Sequence, residues 1–190
     1  MDIVEKKIYF QEDFLRYRNC EFNKNKAINF FQKFYMVVSN PGLFSILNHR
    51  YGIWISLKYS KSESDFLRNV LSLIYNLGKK LSIIWGNIVI QDLVPIGSGF
   101  YISNKGGVII GAERIGKNCT VYSTVTIGID RNTKKPVIGN SVTILDNCVV
   151  YGGINIGDYS IIMQDSVLSK SLPIGATAKG NPAKIIKNDV

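Results

Sequence analysis

The sequence predicts an α+β chain in two parts: an N-terminal helical region over residues 1–87, then a parallel β-helix, a hexapeptide solenoid, over residues 88–190. Three observations predict it. An aliphatic residue recurs every six positions at Ile138, Ile144, Val150, Ile156, Ile162, Leu168 and Ile174, with the same beat upstream at Ile90, Ile96, Ile102 and Val108 and at Ile115, Val121 and Ile127. A smaller or apolar residue stands four places after each of the later ones: Val142, Cys148, Ile154, Ser160, Ser166, Leu172 and Ala178. The residues ahead of Ile88 instead read as amphipathic helices. A period of six is neither the 3.6 of a helix nor the 2 of a simple strand; it marks a solenoid whose sides are short strands joined by turns.

The helical region divides into four segments. Ile3, Ile8, Phe10, Phe14 and Leu15 form a first apolar face, with Asp2 near its start. Residues 25–39 give a second helix, ended before Pro41. Residues 40–58 give a third, with Asn40 as N-cap and Pro41 at the first helical position, where a missing N–H costs nothing. Residues 62–86 give a fourth, capped by Ser62 or Ser64. Mixed apolar and charged faces imply antiparallel packing or a partner surface.

In the solenoid, three sixes make one triangular coil, and each aliphatic position stacks on its equivalent in the next coil at roughly 4.8 Å. Gly97, Gly116, Gly139, Gly157, Gly175, Asn118, Asn140, Asp146 and Asp158 fall just after the aliphatic residue and are expected at corners where a positive φ helps. The beat breaks twice. A step of seven between Val108 and Ile115 places a one-residue bulge at IIGAER, and a step of eleven between Ile127 and Ile138 makes part of GIDRNTKKPV a protruding loop. Insertions in solenoids gather on the binding face. After Leu168 comes a turn-rich closing coil with Pro173, Pro182 and four lysines: Lys170, Lys179, Lys184 and Lys187.

The net charge of +9 is spread out, with thirteen basic against seven acidic residues in 1–88 and ten against seven in 89–190. No basic helix or RNA-binding motif accompanies it, so nucleic acid is a poor partner. A phosphorylated cofactor, acidic glycans or lipid head groups fit better. Three cysteines make no disulfide framework. Cys119 and Cys148 take the inward fifth slot as small hydrophobes, and Cys20 lies in a polar stretch. The opening residues lack a signal peptide's order and no run reaches transmembrane length, so a cytoplasmic protein is expected.

The stretches NPGLFSILNHRYGIW, IGSGFYISNKGGVIIG, VYSTVTIG and IGNSVTILDNCVVYGGINIGDYSIIMQDSVLSKSLPIGATAKGNPAKII resemble the left-handed β-helix acyltransferases, and within them the serine O-acetyltransferase branch. The resemblance covers about residues 40–186, and GNPAKII is its most specific marker. It implies a left-handed coil, against the general rule for parallel crossovers. It also implies a homotrimer, or a dimer of trimers, with acetyl-CoA as co-substrate along the groove between neighbouring solenoids. A histidine then acts as general base on the acceptor hydroxyl, a role worth about 10²–10⁴-fold.

Here the chain departs from the family pattern. The family's Asp-His pair falls on Ser103 and Asn104, and its second histidine falls on Lys135. These three are the candidate catalytic residues. An amide accepts no proton at neutral pH, though it can orient an acceptor, and Lys135 could act as base only in a site that strips its proton. Loss of the acid at Ser103 argues against serine as acceptor, since nothing else there would hold its ammonium group. The only histidine, His49, sits beside Arg50 on the third helix and reads as a packing or surface residue.

Matching the closing coils to the family puts Asp146, Gln164, Ser169, Lys170, Lys184 and Lys187 on the cofactor. The lysines would act as point charges for its phosphates, or else form a solvated tail. Asp130, Arg131, Tyr101 and Tyr122 are candidates to shape the acceptor pocket. The expected function is O-acetylation of a sugar or glycan hydroxyl, of the capsule or cell-surface polysaccharide type. The alternative is a catalytically silent homologue that keeps the solenoid as a binding or scaffold module.

Overall fold

The computed structural model describes residues 9–21, 29–59, 65–103, 105–129 and 134–188. Among the described residues four helices precede the solenoid: α1 (Phe10–Glu21), α2 (Phe30–Ser39), α3 (Pro41–Lys58) and α4 (Asp65–Gly86). The α3 start is as expected, with Leu43 N–H donating to the Asn40 side chain at 3.0 Å and Pro41 in the first turn. At the start of α2, Asn29 N–H donates to Gln32 Oε1 at 3.0 Å. The expected caps Ser62 and Ser64, and the apolar positions Ile3 and Ile8 with Asp2, lie outside the described residues.

The rest is a left-handed parallel β-helix with three faces. Face A stacks β1 (Ile88–Ile90), β3 (Val108–Ile110), β6 (Thr126–Gly128), β9 (Val149–Tyr151) and β12 (Val167–Leu168). Face B stacks β4 (Arg114–Ile115), β7 (Val137–Ile138) and β10 (Asn155–Ile156). Face C stacks β2 (Tyr101–Ile102), β5 (Thr120–Val121), β8 (Thr143–Ile144), β11 (Ile161–Ile162), β13 (Ala176–Lys179) and β14 (Lys184–Asn188). Every pair is parallel except β13 with β14, where the chain doubles back. The six-residue beat is the core: Ile102, Ile127, Ile144, Val150 and Ile162 are all but inaccessible to solvent. The fifth slot is inward too, including Cys119, Cys148, Ser160 and Ser166. Ile46 of α3 joins this core from the helical side.

The beat ends before Ile174, which is exposed while Leu172 and Ala178 take the places opposite Ile156 and Ile162, and two further expectations about the coils need correction. Ile90 pairs with Ile110, and Ile110 with Ile127, so Ile110 rather than Val108 holds the rung position. Both are buried because residues two apart on a strand share a face. The extra residues therefore lie before β3, at Ser103–Gly107 on the corner from face C to face A, and not at IIGAER. Second, positive φ falls mostly on the third residue after the rung position, as at Leu93, Asn118, Thr124, Ser141, Asn147, Tyr159 and Asp165. Of the residues expected there, only Asn118 and Gly175 have it. Gly97, Gly116, Gly139 and Gly157 serve close approach instead: a Cβ on Gly116 would lie 2.4 Å from Gly139 O, and one on Gly97 2.6 Å from the Gly116 carbonyl carbon.

The helices are tied to the first coil by buried polar contacts. Asp13 of α1 accepts from Arg50 Nε at 2.9 Å and from Phe100 N–H at 3.1 Å. Arg50 also donates to the carbonyls of Ile96 and Gly97, and both members of the ion pair are buried. Burial pushes the Asp13 carboxyl up, while the Arg50 guanidinium pulls it back. Tyr17 Oη donates to Ile102 O at 3.1 Å and accepts from Ile102 N–H at 2.9 Å, its ring 4.7 Å from that of Tyr101.

Candidate functional site

The corner from face C to face A gathers three of the predicted site residues, Ser103, Asp146 and Gln164, along one edge of the solenoid. Successive coils turn there after β2, β5, β8 and β11, and the turns are laced together. Ser103 N–H donates to Val121 O, Tyr122 N–H to Ile144 O, and Leu145 N–H to Ile162 O, each at 2.9 Å. Asn104, Ser123, Asp146 and Gln164 each stand two places after the inward residue of their strand. Ser103 is buried, its Oγ accepting from Lys105 N–H at 3.5 Å. Asn104 itself lies outside the described residues.

Asp146 lies two coils above Ser103, roughly 10 Å along the axis at about 4.8 Å per coil. Its carboxylate accepts from the Ser123 hydroxyl and, at 3.1 Å, from Ser123 N–H. That hydroxyl contact, with Lys105 nearby, holds the Asp146 carboxyl below its usual range. It stays an anion at neutral pH. Gln164 follows on the next coil, exposed. Ser123 and Lys105 were not singled out from the sequence, yet the shared position two places after the aliphatic residue is a signal that would have found Ser123.

The remaining candidates lie elsewhere on the single chain. Lys135, half-buried, sits in the loop from face A to face B, beside a cavity of about 390 Å³ that Glu113, Lys134, Gly153 and Asn155 also line. Ser169 and Lys170 follow β12 at that same corner, both exposed. Face A thus separates this second group from Ser103, Asp146 and Gln164. Lys184 lies on β14 opposite Lys179, and Lys187 opposite Thr177, with the Lys187 side chain outside the described residues. Of the acceptor candidates, Tyr101 packs on Tyr17 and Tyr122 is half-buried at the first corner, whereas Asp130 and Arg131 lie outside the described residues. A cavity of about 370 Å³ between α3 and the glycine file of face B is lined by none of the predicted site residues.

His49 is a packing residue. It is 3 % exposed, with Nε2 2.9 Å from Val94 O, beneath the first coil. Burial lowers its pKa to about 4. That hydrogen bond fixes Nε2 as the protonated nitrogen, because a carbonyl can only accept.

Comparison with known proteins agrees with this architecture. The family model described as bacterial transferase hexapeptide (six repeats) matches residues 135–170. A serine acetyltransferase of Helicobacter pylori is 30% identical over 161 residues, covering 83% of this chain and 88% of that protein. The crystal structure of serine acetyltransferase from Brucella abortus superposes with a TM-score of 0.71 at 23% identity, covering 94% of this chain and 67% of that one. A serine acetyltransferase solved in complex with CoA superposes with a TM-score of 0.71 at 22% identity, covering 93% of this chain and 68% of the other. At those identities the two structures speak for the fold alone. A six-residue beat that folds into a β-helix behind four helices, together with the extent of the Helicobacter match, places the chain in the serine acetyltransferase family of hexapeptide-repeat transferases.

Proposed function

We propose that this chain transfers the acetyl group of acetyl-CoA to a hydroxyl of a sugar or glycan, as a cytoplasmic homotrimer. Acetyl-CoA, when bound, supplies the activated acyl group. The observation that carries the reading is the corner column Ser123–Asp146–Gln164, which rises from the turn that holds Ser103 and is set apart by face A from the cations Lys135 and Lys170. A threefold arrangement that lays one chain's first corner along its neighbour's second corner would bring the two halves into one groove. The residues fit an elongated anionic cofactor: Gln164, Ser169, Lys170 and Lys184 are all exposed. Neither Lys170 nor Lys184 forms an ion pair with a described residue, so their charge is available to phosphates.

Ser103 supports a neutral acceptor over an amino acid. Its short hydroxyl side chain, buried and facing Lys105 N–H, offers no anion for an ammonium group. Asn104 would orient the acceptor hydroxyl, and its proton would leave to solvent; Lys135 of a neighbouring copy could take it only where the groove first strips the lysine of its own proton.

The second reading, a silent scaffold, is favoured by one observation. With Asn at 104, the single histidine is buried under the first coil at a pKa of about 4 and cannot serve this corner. Calorimetry with acetyl-CoA and an assay of CoA thiol release over a panel of sugars and glycans separate the two. The enzyme reading expects acetyl-CoA binding, turnover with a glycan, and a gain of about 10²-fold or more in Asn104→His. Absence of both binding and turnover in the two proteins would leave the scaffold.

A further inference from the structure

The helix α4 is turned inside out. Its outward stripe is Phe66, Leu67, Val70, Leu73, Ile74, Leu77, Leu81 and Ile84, with Phe66 and Ile84 each 80 % exposed. Its inward side is small and polar: Gly78, Ser82 and Gly86 are buried, with Tyr75 partly so. There it packs closely on α3, where a Cβ on Gly78 would lie 2.1 Å from Asn48 Oδ1 and one on Gly52 2.4 Å from the Tyr75 ring. Small residues four apart that let backbones approach, with apolar side chains pointing away from the protein, are the habit of helices whose surroundings are apolar. An outward apolar face recurs on α2, whose Phe30, Phe31, Phe34, Tyr35 and Val38 are all more than half exposed while Met36 is buried. No described helix is long and apolar enough to cross a membrane.

We propose that α2 and α4 lie against an anionic lipid bilayer surface, their aromatic and aliphatic faces inserted at the level of the head groups. Charge decides between this cover and a second copy of the chain. Of the seven basic side chains in residues 30–86, Arg50 is buried against Asp13 and Lys79 is paired with Asp92, but Lys33, Lys58, Arg68 and Lys80 are exposed, and the stretch has only two acidic residues, Glu63 and Asp65. Two copies meeting on these faces would set like charge against like, whereas anionic head groups complement it. Phe, Tyr and Trp85 beside lysine are the composition of an interfacial helix. The inference stands apart from the acetyl-transfer reading, because it involves none of the corner residues.

The test is flotation of the full chain with vesicles of phosphatidylglycerol mixed with phosphatidylcholine, against phosphatidylcholine alone, with tryptophan emission as a second readout. Partition onto the anionic vesicles is expected to be at least about tenfold stronger at low salt and to weaken as salt is raised. Phe31→Ser with Phe34→Ser, or Leu77→Gln with Ile84→Gln, should each reduce it about tenfold or more. Unchanged far-ultraviolet circular dichroism would exclude unfolding as the cause. Failure to bind anionic vesicles would overturn the proposal. So would a lipid-free oligomer that the same substitutions dissociate, since another copy would then be the cover. Thiol release measured without vesicles reads the corner site separately.

Discussion

The solenoid and the helices solve burial in opposite ways. In the solenoid each rung's aliphatic side chain meets the rungs above and below within the same chain, so the apolar surface closes on itself. In α2 and α4 most of the large apolar side chains point outward, and in α4 the small ones point inward. A repeat supplies its own neighbours, but a lone amphipathic helix borrows them from whatever it meets. The lesson is that the stability of the coils belongs to this chain, whereas that of the helical faces belongs to their surroundings.

Cutting the join between the two regions should have the largest effect. Arg50→Ala leaves the Asp13 carboxylate buried without its counter-charge, at an expected cost of about 3–5 kcal/mol in chemical denaturation. Hydrogen exchange should then show α1 and α3 opening before the coils, and simultaneous loss of both would erase the distinction between the regions. Ile144→Ala, in the middle of the ladder, should cost about 3 kcal/mol, since both neighbouring rungs hold a cavity open around it.

The join also carries a pH dependence. Burial holds His49 at a pKa of about 4, against 6.5 in the open chain. The unfolded chain therefore binds the extra proton first. The stability that neutral His49 provides is complete above about pH 6.5 and is lost as pH falls toward about 4, by up to about 3 kcal/mol. His49→Gln should flatten that slope in stability measured across the window; an unchanged slope would place the titration elsewhere. The smallest effect belongs to the outward stripe: Ile84→Gln, with its side chain 80 % exposed, should change the stability of the lipid-free protein by less than about 0.5 kcal/mol. A large loss there would mean that the face is already covered.

What the sequence revealed follows the same division. The rung positions were legible because a stacked ladder tolerates only aliphatic side chains at Ile102, Ile127 or Val150. The protrusion at Ser103–Gly107 was misplaced because Val108 and Ile110 are both aliphatic and both inward, so spacing cannot say which is the rung. The corners were hard to read for a related reason: Leu93, Thr124 and Tyr159 take positive φ with no residue type to announce it. At the site, membership of the corner column follows from the beat, as Asp146 and Gln164 show. The separation of Lys135 from that column does not, because it depends on which corner a loop of uncertain length serves. The inversion of α4 was equally hidden, since periodicity finds an apolar stripe and is silent on which way it faces.

The backward turn of β14 has a consequence for how such molecules behave in a crowd. Below it, every rung presents the parallel, unbranched hydrogen-bonding pattern from which endless fibres are built. On face C, a strand laid in the opposite sense offers the next molecule the wrong sequence of donors and acceptors, while α3 brings Ile46 into the core from the helical side. The protein thus keeps the rigidity of a filament and forfeits the ability to become one.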